Sequence, residues 1–273
     1  MTDRYAVIGN PIGFSKSPMI HGLFAQATAQ DMEYIKIEGA LGGFASAVDA
    51  FRAQGAKGMN ITAPFKVDAF NYASEHSDAA RLAGAANAMK FEGGRIWAEN
   101  FDGVGLVRDV VHNLNSQLKG KRILLLGAGG AARGALLPFL EQEPATLVIC
   151  NRTLAKAEEL AEIGKGRGHV HACGFADLKG EAFQLVFNAT SASLRSEMPP
   201  VPSSVFAPDC LAYELAYGKG LTPFLRLAQS AGVSALADGV GMLAEQAAAA
   251  FSWWRGVRPD TRAVIEALRV PLV

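Results

Sequence analysis

Cysteine is scarce, with 3 in 273 residues, at Cys150, Cys173 and Cys210, and no C-x-x-C spacing. That argues against a disulfide framework and against a structural zinc site. Histidine is nearly as scarce, at 5, and His169 and His171 alternate as surface residues of a strand would, so no metal is expected. Charge of one sign is not in excess, with 26 Lys and Arg against 26 Asp and Glu. This removes the electrostatic draw toward nucleic acid or an anionic membrane. No apolar run reaches the roughly 18 residues of a membrane span. The stretch "GMLAEQAAAAFSWW" is broken by Glu245 and Gln246. The opening residues, MTDRYAVIGN, carry neither the apolar core nor the cleavage site of an export signal. The expectation is a soluble, cytoplasmic protein, a monomer or homodimer, whose partner is a small molecule.

What is present is apolar material in plenty, half of all residues, enough for one large domain or two smaller ones. "YAVIG" (5–9), "EYIKI" (33–37) and "GMNIT" (58–62) read as strands. Helical spacing follows each, over about 18–29, 42–55 and 64–74. Strand alternating with helix predicts a mainly parallel α/β sheet. "NAMKFEGGRIWAEN" (87–100) reads as a hairpin turning at Glu92-Gly93-Gly94, and 102–116 as a helix with Asp102 near its start. After the polar joint "LKGKR" (118–122), a second α/β unit begins, with strands at 123–126, 146–151, 184–190 and 210–217. Residues 239–269 read as helical throughout and as returning to the first unit. The expected domains are 1–102 plus 239–273, and 103–238.

The strongest local motif is "ILLLGAGGAAR" (123–133), an aliphatic strand, a glycine turn and an apolar helix. This is the context of a dinucleotide fingerprint, with Gly127 for the tight turn, Gly129 for close approach to a pyrophosphate and Ala132 for helix–strand packing. A merely structural glycine turn is the alternative. An NAD site carries Asp or Glu at the end of the next strand. Here that strand ends "VICNRTLAK", so Asn151, Arg152 and Lys156 stand where a 2′-phosphate would lie. Charge-assisted hydrogen bonds contribute roughly 1.5–3 kcal/mol each. Two of them favour NADP over NAD by about two to three orders of magnitude, with NAD the weaker alternative and simple surface coverage the bland one. Thr153 is expected to cap the following helix.

Four polar clusters follow strands in the first half: Ser15 and Ser17; Asn60, Thr62 and Lys66; Asn87; and Asn100 with Asp102. In parallel α/β sheets ligands sit beyond the carboxyl ends of strands. Pro18 suits the first position of a helix, Ser17 its N-cap, and such a start is an anion site. A lysine is ordinarily too basic to accept a proton at neutral pH. Desolvation would make Lys66 a better base, and the Asp102 carboxylate would work against that. A lysine–aspartate pair facing an alcohol can relay a proton while a nicotinamide takes a hydride. A surface salt bridge is the competing reading.

Eight segments stand in the order and spacing of one family: "GNPIGFSKSPMIH", "NITAPFK", "GAANAM", "ENFDG", "GAGGAAR", "NRT", "NATS" and "DGVGML". On these the chain resembles, nearly end to end, the shikimate dehydrogenases, which reduce 3-dehydroshikimate to shikimate with NADPH. The resemblance implies a substrate domain joined to a Rossmann-type NADP-binding domain. It implies that Ser15 and Ser17 bind a carboxylate, and that Asn60, Thr62, Asn87, Tyr217 and Gln246 hold ring hydroxyls or the carboxylate. Lys66 and Asp102 become the catalytic pair. Gly127, Ala128, Gly129, Gly130, Ala131, Asn151, Arg152, Thr153, Lys156, Thr190, Gly239 and Met242 become cofactor contacts.

The chain departs from the family pattern at Phe14 for His, Ala88 for Thr, Glu99 and Glu214 for Asp, and Phe101 for Thr. A bulky ring beside Asp102 raises the alternative of a divergent paralogue that prefers quinate or another cyclic hydroxy acid. Two further alternatives are a catalytically weak dinucleotide-binding sensor and a methylenetetrahydrofolate dehydrogenase.

Overall fold

The computed structural model describes residues 2–195 and 197–272. The chain divides into two compact units, Met1–Gly105 with Ala244–Val264, and Leu106–Leu243 with Ile265–Val273. Residues 239–243 and 265–273, expected with the first domain, thus group with the second unit. The physical reasons are local. The Met242 N–H donates to the Tyr213 hydroxyl at 3.3 Å, and Leu272 packs against the core that contains Phe183, Val186 and Phe224.

The first unit runs β1 (Asp3–Gly9), α1 (Ser17–Ala27), β2 (Met32–Glu38), α2 (Phe44–Ala53), β3 (Gly58–Ile61), α3 (Lys66–Tyr72), β4 (Glu75–His76), α4 (Asp78–Ala83), β5 (Ala88–Glu92), β6 (Arg95–Glu99) and the start of α5 (Asp102–Arg108). Its sheet order is β2-β1-β3-β5-β6-β4. β1 pairs in parallel with both β2 and β3, and the hairpin β5–β6 adds antiparallel pairings. The run Tyr5–Ile8 is buried throughout because β1 lies inside the sheet with both faces covered. One face packs Ile8, Met59 and Ile61 against Phe44, Val48, Phe51 and Phe65. The hairpin turns at Gly93 and Gly94, both at positive φ, as expected from the sequence.

The second unit runs β7 (Arg122–Leu126), α6 (Gly130–Leu140), β8 (Thr146–Cys150), α7 (Leu154–Ile163), β9 (Val170–Cys173), β10 (Phe183–Asn188), β11 (Phe206–Glu214), α8 (Pro223–Ser230), β12 (Ala235–Asp238) and the start of α9 (Val240–Arg255), with the end of α10 (Arg262–Leu268). Its sheet order is β12-β11-β10-β7-β8-β9 and every pairing is parallel. Counted from β7 this is the 3-2-1-4-5-6 order of the dinucleotide-binding fold, with its switch point between β7 and β10.

Two local expectations change. The helix expected over 102–116 is α5 followed by a π-turn at Asp109–Asn113. The Asp109 carboxylate there accepts from Asn113 Nδ2 at 2.9 Å and from the Tyr213 hydroxyl at 2.6 Å. The helix expected over 239–269 breaks between α9 and α10, where Gly256 takes φ +72°, a left-handed value that ends a helix cheaply only at glycine. The short β4, α4, α8 and β12 carry too few apolar repeats to stand out in the sequence.

From Ala244 onward α9 presents Ala247, Ala250, Phe251 and Trp254 to the first unit's core. Phe251 meets Phe24 edge-on at 5.7 Å, and Trp254 stacks on Tyr5 at 4.8 Å. The Trp254 Nε1–H donates to the Met89 carbonyl at 3.0 Å. Trp254→Ala removes both the packing and that carbonyl's partner, so urea unfolding is expected to show a loss of about 3–5 kcal/mol. A loss under about 1 kcal/mol, within the usual surface range, would mean the α9 return contributes little.

Candidate active site

In the first unit the polar clusters converge. Lys66 opens α3, two residues later than expected, because Thr62–Phe65 closes a turn first, with the Phe65 N–H on the Thr62 carbonyl at 3.1 Å. Lys66 Nζ lies 2.6 Å from Asp102 Oδ2. The lysine side chain is 35 % exposed and the aspartate 11 %, so the pair has one open side. Asn87 Nδ2 donates to Asp102 Oδ1 at 2.7 Å and to Gln246 Oε1 at 3.2 Å. Asn87 Oδ1 accepts the Phe101 N–H at 2.9 Å. Asn100 Oδ1 accepts the Asp102 N–H at 3.1 Å, and the Asn100 N–H itself donates to Glu99. The backbone N–H groups of 100–102 are therefore accounted for, and the Asp102 carboxylate is held at both oxygens.

Asn60 is buried beside this group, donating from Nδ2 to the Asn87 carbonyl at 3.2 Å. Its Oδ1 accepts the Tyr34 hydroxyl at 2.7 Å and lies 3.0 Å from His21 Nε2. Thr62, half-buried, follows directly after β3. Ser17 is the first residue of α1 rather than its N-cap, a position that Lys16 takes. Ser15 Oγ accepts the Ser17 N–H at 3.3 Å and donates to Ser17 Oγ at 3.2 Å. Both serines are half-buried. Phe14 is 87 % exposed.

Phe101 turns its ring to Trp253, edge-on at 5.7 Å, and packs on the cluster of Tyr5, Ala88, Ala250 and Trp254. The two departures from the family pattern at 88 and 101 therefore meet. A small Ala88 lies in the cluster that takes the larger Phe101 ring, and the Asp102 carboxylate bonds Lys66 and Asn87.

The second unit holds the glycine turn. Gly127 has φ +108°, and a Cβ there would lie 3.1 Å from the Ala189 carbonyl, so the turn after β7 passes tightly beside the end of β10. Gly129 and Gly130 face open space. Gly129 is the N-cap of α6 and gives its N–H groups no side-chain partner. Ala128 is buried and Ala131 half-buried on the same turn. An uncapped helix start with open space above it fits a pyrophosphate. Asn151, Arg152, Thr153 and Lys156 follow β8. Arg152 and Lys156 are exposed, and Asn151 Nδ2 donates to the Thr153 carbonyl at 2.9 Å. Thr153 is the N-cap of α7, as expected, but makes no side-chain cap bond. Thr190 donates to Asn188 Oδ1 at 2.7 Å. Gly239 and Met242 flank the start of α9. Tyr217 also belongs to this unit, 42 % exposed beyond β11. Among the described residues no group of His, Cys, Asp and Glu could hold a metal ion, and no helix is long and apolar enough to cross a membrane.

Comparison with known proteins decides the family. Three family profiles match in order: "Shikimate dehydrogenase substrate binding domain" over 7–89, "Shikimate / quinate 5-dehydrogenase" over 109–196, and "Shikimate 5'-dehydrogenase C-terminal domain" over 239–269. The shikimate dehydrogenase (NADP(+)) of Chromobacterium violaceum is 55 % identical over 269 residues, 98 % of each chain. This chain belongs to the shikimate dehydrogenase family. Among solved structures, an Ael1 enzyme from Pseudomonas putida is 60 % identical with a TM-score of 0.96, each chain covered in full. A shikimate 5-dehydrogenase from Thermus thermophilus, in complex with NADP(H) and shikimate, is 29 % identical with a TM-score of 0.86, covering 98 % of this chain and 99 % of its own.

Sequence reasoning passed over two buried groups of this family member. One is His21, four residues after Ser17 on α1, fully buried between Tyr34, Phe24 and Trp254. The only sequence signal was its spacing from Ser17. The other is Glu214 at the end of β11, noted only as a departure from Asp. Its carboxylate accepts from Asn188 Nδ2 at 2.9 Å, Thr222 Oγ1 at 3.1 Å and Ser193 Oγ. Burial raises the proton affinity of this carboxylate, and these hydroxyl and amide donors oppose that rise.

Burial lowers the His21 pKa to about 3 from 6.5, against a smaller opposing contribution from Asn60. The unfolded chain therefore binds a proton that the native state refuses between those values. Stability from this group is full above pH 6.5 and is lost as pH falls toward 3. The expected cost is about 1.4 kcal/mol per pH unit within that window. Comparing acid unfolding of the parent and His21→Gln is expected to show a pH slope smaller by one proton in the variant. Equal slopes would mean His21 is protonated in the native state.

Proposed function

We propose that this protein is an NADP-dependent oxidoreductase that interconverts shikimate and 3-dehydroshikimate. The observation that carries the reading is the Lys66–Asp102 pair at 2.6 Å, with Asn87 on the free oxygen of the carboxylate. A general acid–base pair of this kind needs an open face and a fixed partner, and both are supported here. In the direction of reduction, Lys66 Nζ donates a proton to the ketone oxygen as it gains charge. In the reverse direction the amine takes the hydroxyl proton, and Asp102 stabilises the resulting ammonium. Ser15 and Ser17 hold the substrate carboxylate, and Asn60, Thr62, Asn87 and Gln246 hold ring oxygens. Tyr217 is kept as a substrate contact on the resemblance alone.

When bound, NADP(H) supplies the hydride acceptor or donor. Gly127–Ala131, Thr190, Gly239 and Met242 would receive it, with Asn151, Arg152, Thr153 and Lys156 on the adenosine phosphate. The first unit is thus read as the substrate domain and the second as the NADP-binding domain. A cytoplasmic location and a role in aromatic amino acid biosynthesis belong to the same reading. The quinate alternative rests on a bulky ring in place of a hydroxyl beside Asp102. The packing of Phe101 on Trp253 and the Ala88 cluster weakens the crowding part of that ground.

Two substitutions test the assignment. Lys66→Ala is expected to lower kcat for shikimate oxidation by about two to four orders of magnitude with little change in KM. Unchanged turnover would remove Lys66 from the mechanism. Arg152→Ala is expected to raise KM for NADP about tenfold or more, one lost charge-assisted bond, while leaving that for NAD nearly unchanged. Equal losses for both cofactors would reassign the phosphate contact. Running shikimate and quinate side by side shows which acid the protein turns over.

A further inference from the structure

The amide of Asn60 is held by a closed set of bonds. Its Nδ2 lies 3.2 Å from the Asn87 backbone carbonyl, which can only accept. That carbonyl fixes which end of the amide is nitrogen. The oxygen end therefore faces the Tyr34 hydroxyl at 2.7 Å and His21 Nε2 at 3.0 Å. Both must donate, so the imidazole is the Nε2–H tautomer. Its Nδ1 is then a bare lone pair, and Nδ1 is the one deeply buried polar side-chain atom without a partner among the described residues. The ring lies flat on Tyr34, with centroids 4.2 Å apart and planes 6° apart, so neither donor can swing away without unstacking the other.

We propose that His21 and Tyr34 are positioning residues that lock the Asn60 amide with its nitrogen toward the substrate. With both lone pairs of Oδ1 occupied and one N–H on Asn87, the amide has a single valence left, an N–H. The ligand atom opposite Asn60 must then be an acceptor oxygen, a carbonyl, carboxylate or hydroxyl lone pair. A donor placed there would find no partner. This inference rests on the reading of Asn60 as a substrate contact. It adds two residues on α1 and β2 that touch no ligand themselves.

The test combines kinetics with a measurement that needs no turnover. Tyr34→Phe and His21→Leu each free one lone pair of Asn60 and are expected to raise KM for shikimate about 10- to 100-fold, with kcat changed less than about threefold and KM for NADP unmoved. His21→Gln places an amide N–H near the position of Nε2 and is expected to recover KM to within about threefold of the parent. A purely structural role predicts instead that Gln and Leu behave alike and that kcat or KM for NADP moves with KM for shikimate. Either pattern would overturn the proposal. Nitrogen-15 NMR of the histidine ring in the parent protein is expected to show the neutral Nε2–H tautomer from pH 5 to 8. An Nδ1–H tautomer or an imidazolium would overturn the lock. If the parent fails to oxidise shikimate at all, the functional reading falls while the ring tautomer still decides the lock.

Discussion

The ion pair between Lys66 and Asp102 is the contact on which the functional account depends. It joins the start of α3 to the start of α5, segments 36 residues apart in sequence. Nothing local makes them meet. The β3–β5–β6 pairings do so, by placing the ends of three strands side by side. Asn87, at the entrance to β5, then bonds the carboxylate, the Phe101 amide and Gln246 at once. Removing the fold around Asn87 would leave an amine and an acid with no reason to share a proton. In a partly buried pair the attraction is set against the cost of desolvating the carboxylate, so its value lies in geometry.

The second unit works on different physics. Its sheet order puts the turn after β7 beside the end of β10, and the positive φ of Gly127 is what lets the two chains pass. The N-terminus of α6 is left without a side-chain cap, which costs helix stability and leaves N–H groups for an anion. Buried polar sets stiffen the surrounding loops. Glu214 gathers Asn188, Ser193 and Thr222, and Asp109 gathers Tyr213 and Asn113. Neither carboxylate touches solvent to any extent, so each is satisfied by donors from several segments, as buried carboxylates must be.

Much of this was legible in the residues. β1, β7 and β8 carry apolar runs, Tyr5–Ile8, Ile123–Leu126 and Leu147–Cys150, ended by Gly, Gly and Asn, and a parallel sheet buried on both faces writes itself that way. The glycine turn and the Ser, Asn, Lys and Asp positions stood at strand ends, where ligands gather. What stayed hidden was of two kinds. Short elements such as β4 and α4 have too few residues for a periodic signal. Long-range polar partners leave none: no spacing joins His21 to Asn60, or Asp109 to Tyr213, because the pairings are made by the sheet and by helix packing. The direction of the Phe101 ring was not legible either. Its own N–H donates to Asn87 and the Asp102 carboxylate beside it meets Asn87 and Lys66, while its ring packs on Trp253.

The most direct test of the central claim is a crystal structure of the protein with shikimate bound. The account predicts Lys66 Nζ and an Asp102 oxygen within about 2.6–3.2 Å of one and the same ring hydroxyl, with the carboxylate of shikimate on Ser15 and Ser17. A ring hydroxyl reached by neither group, or the substrate carboxylate lying against Lys66, would contradict it.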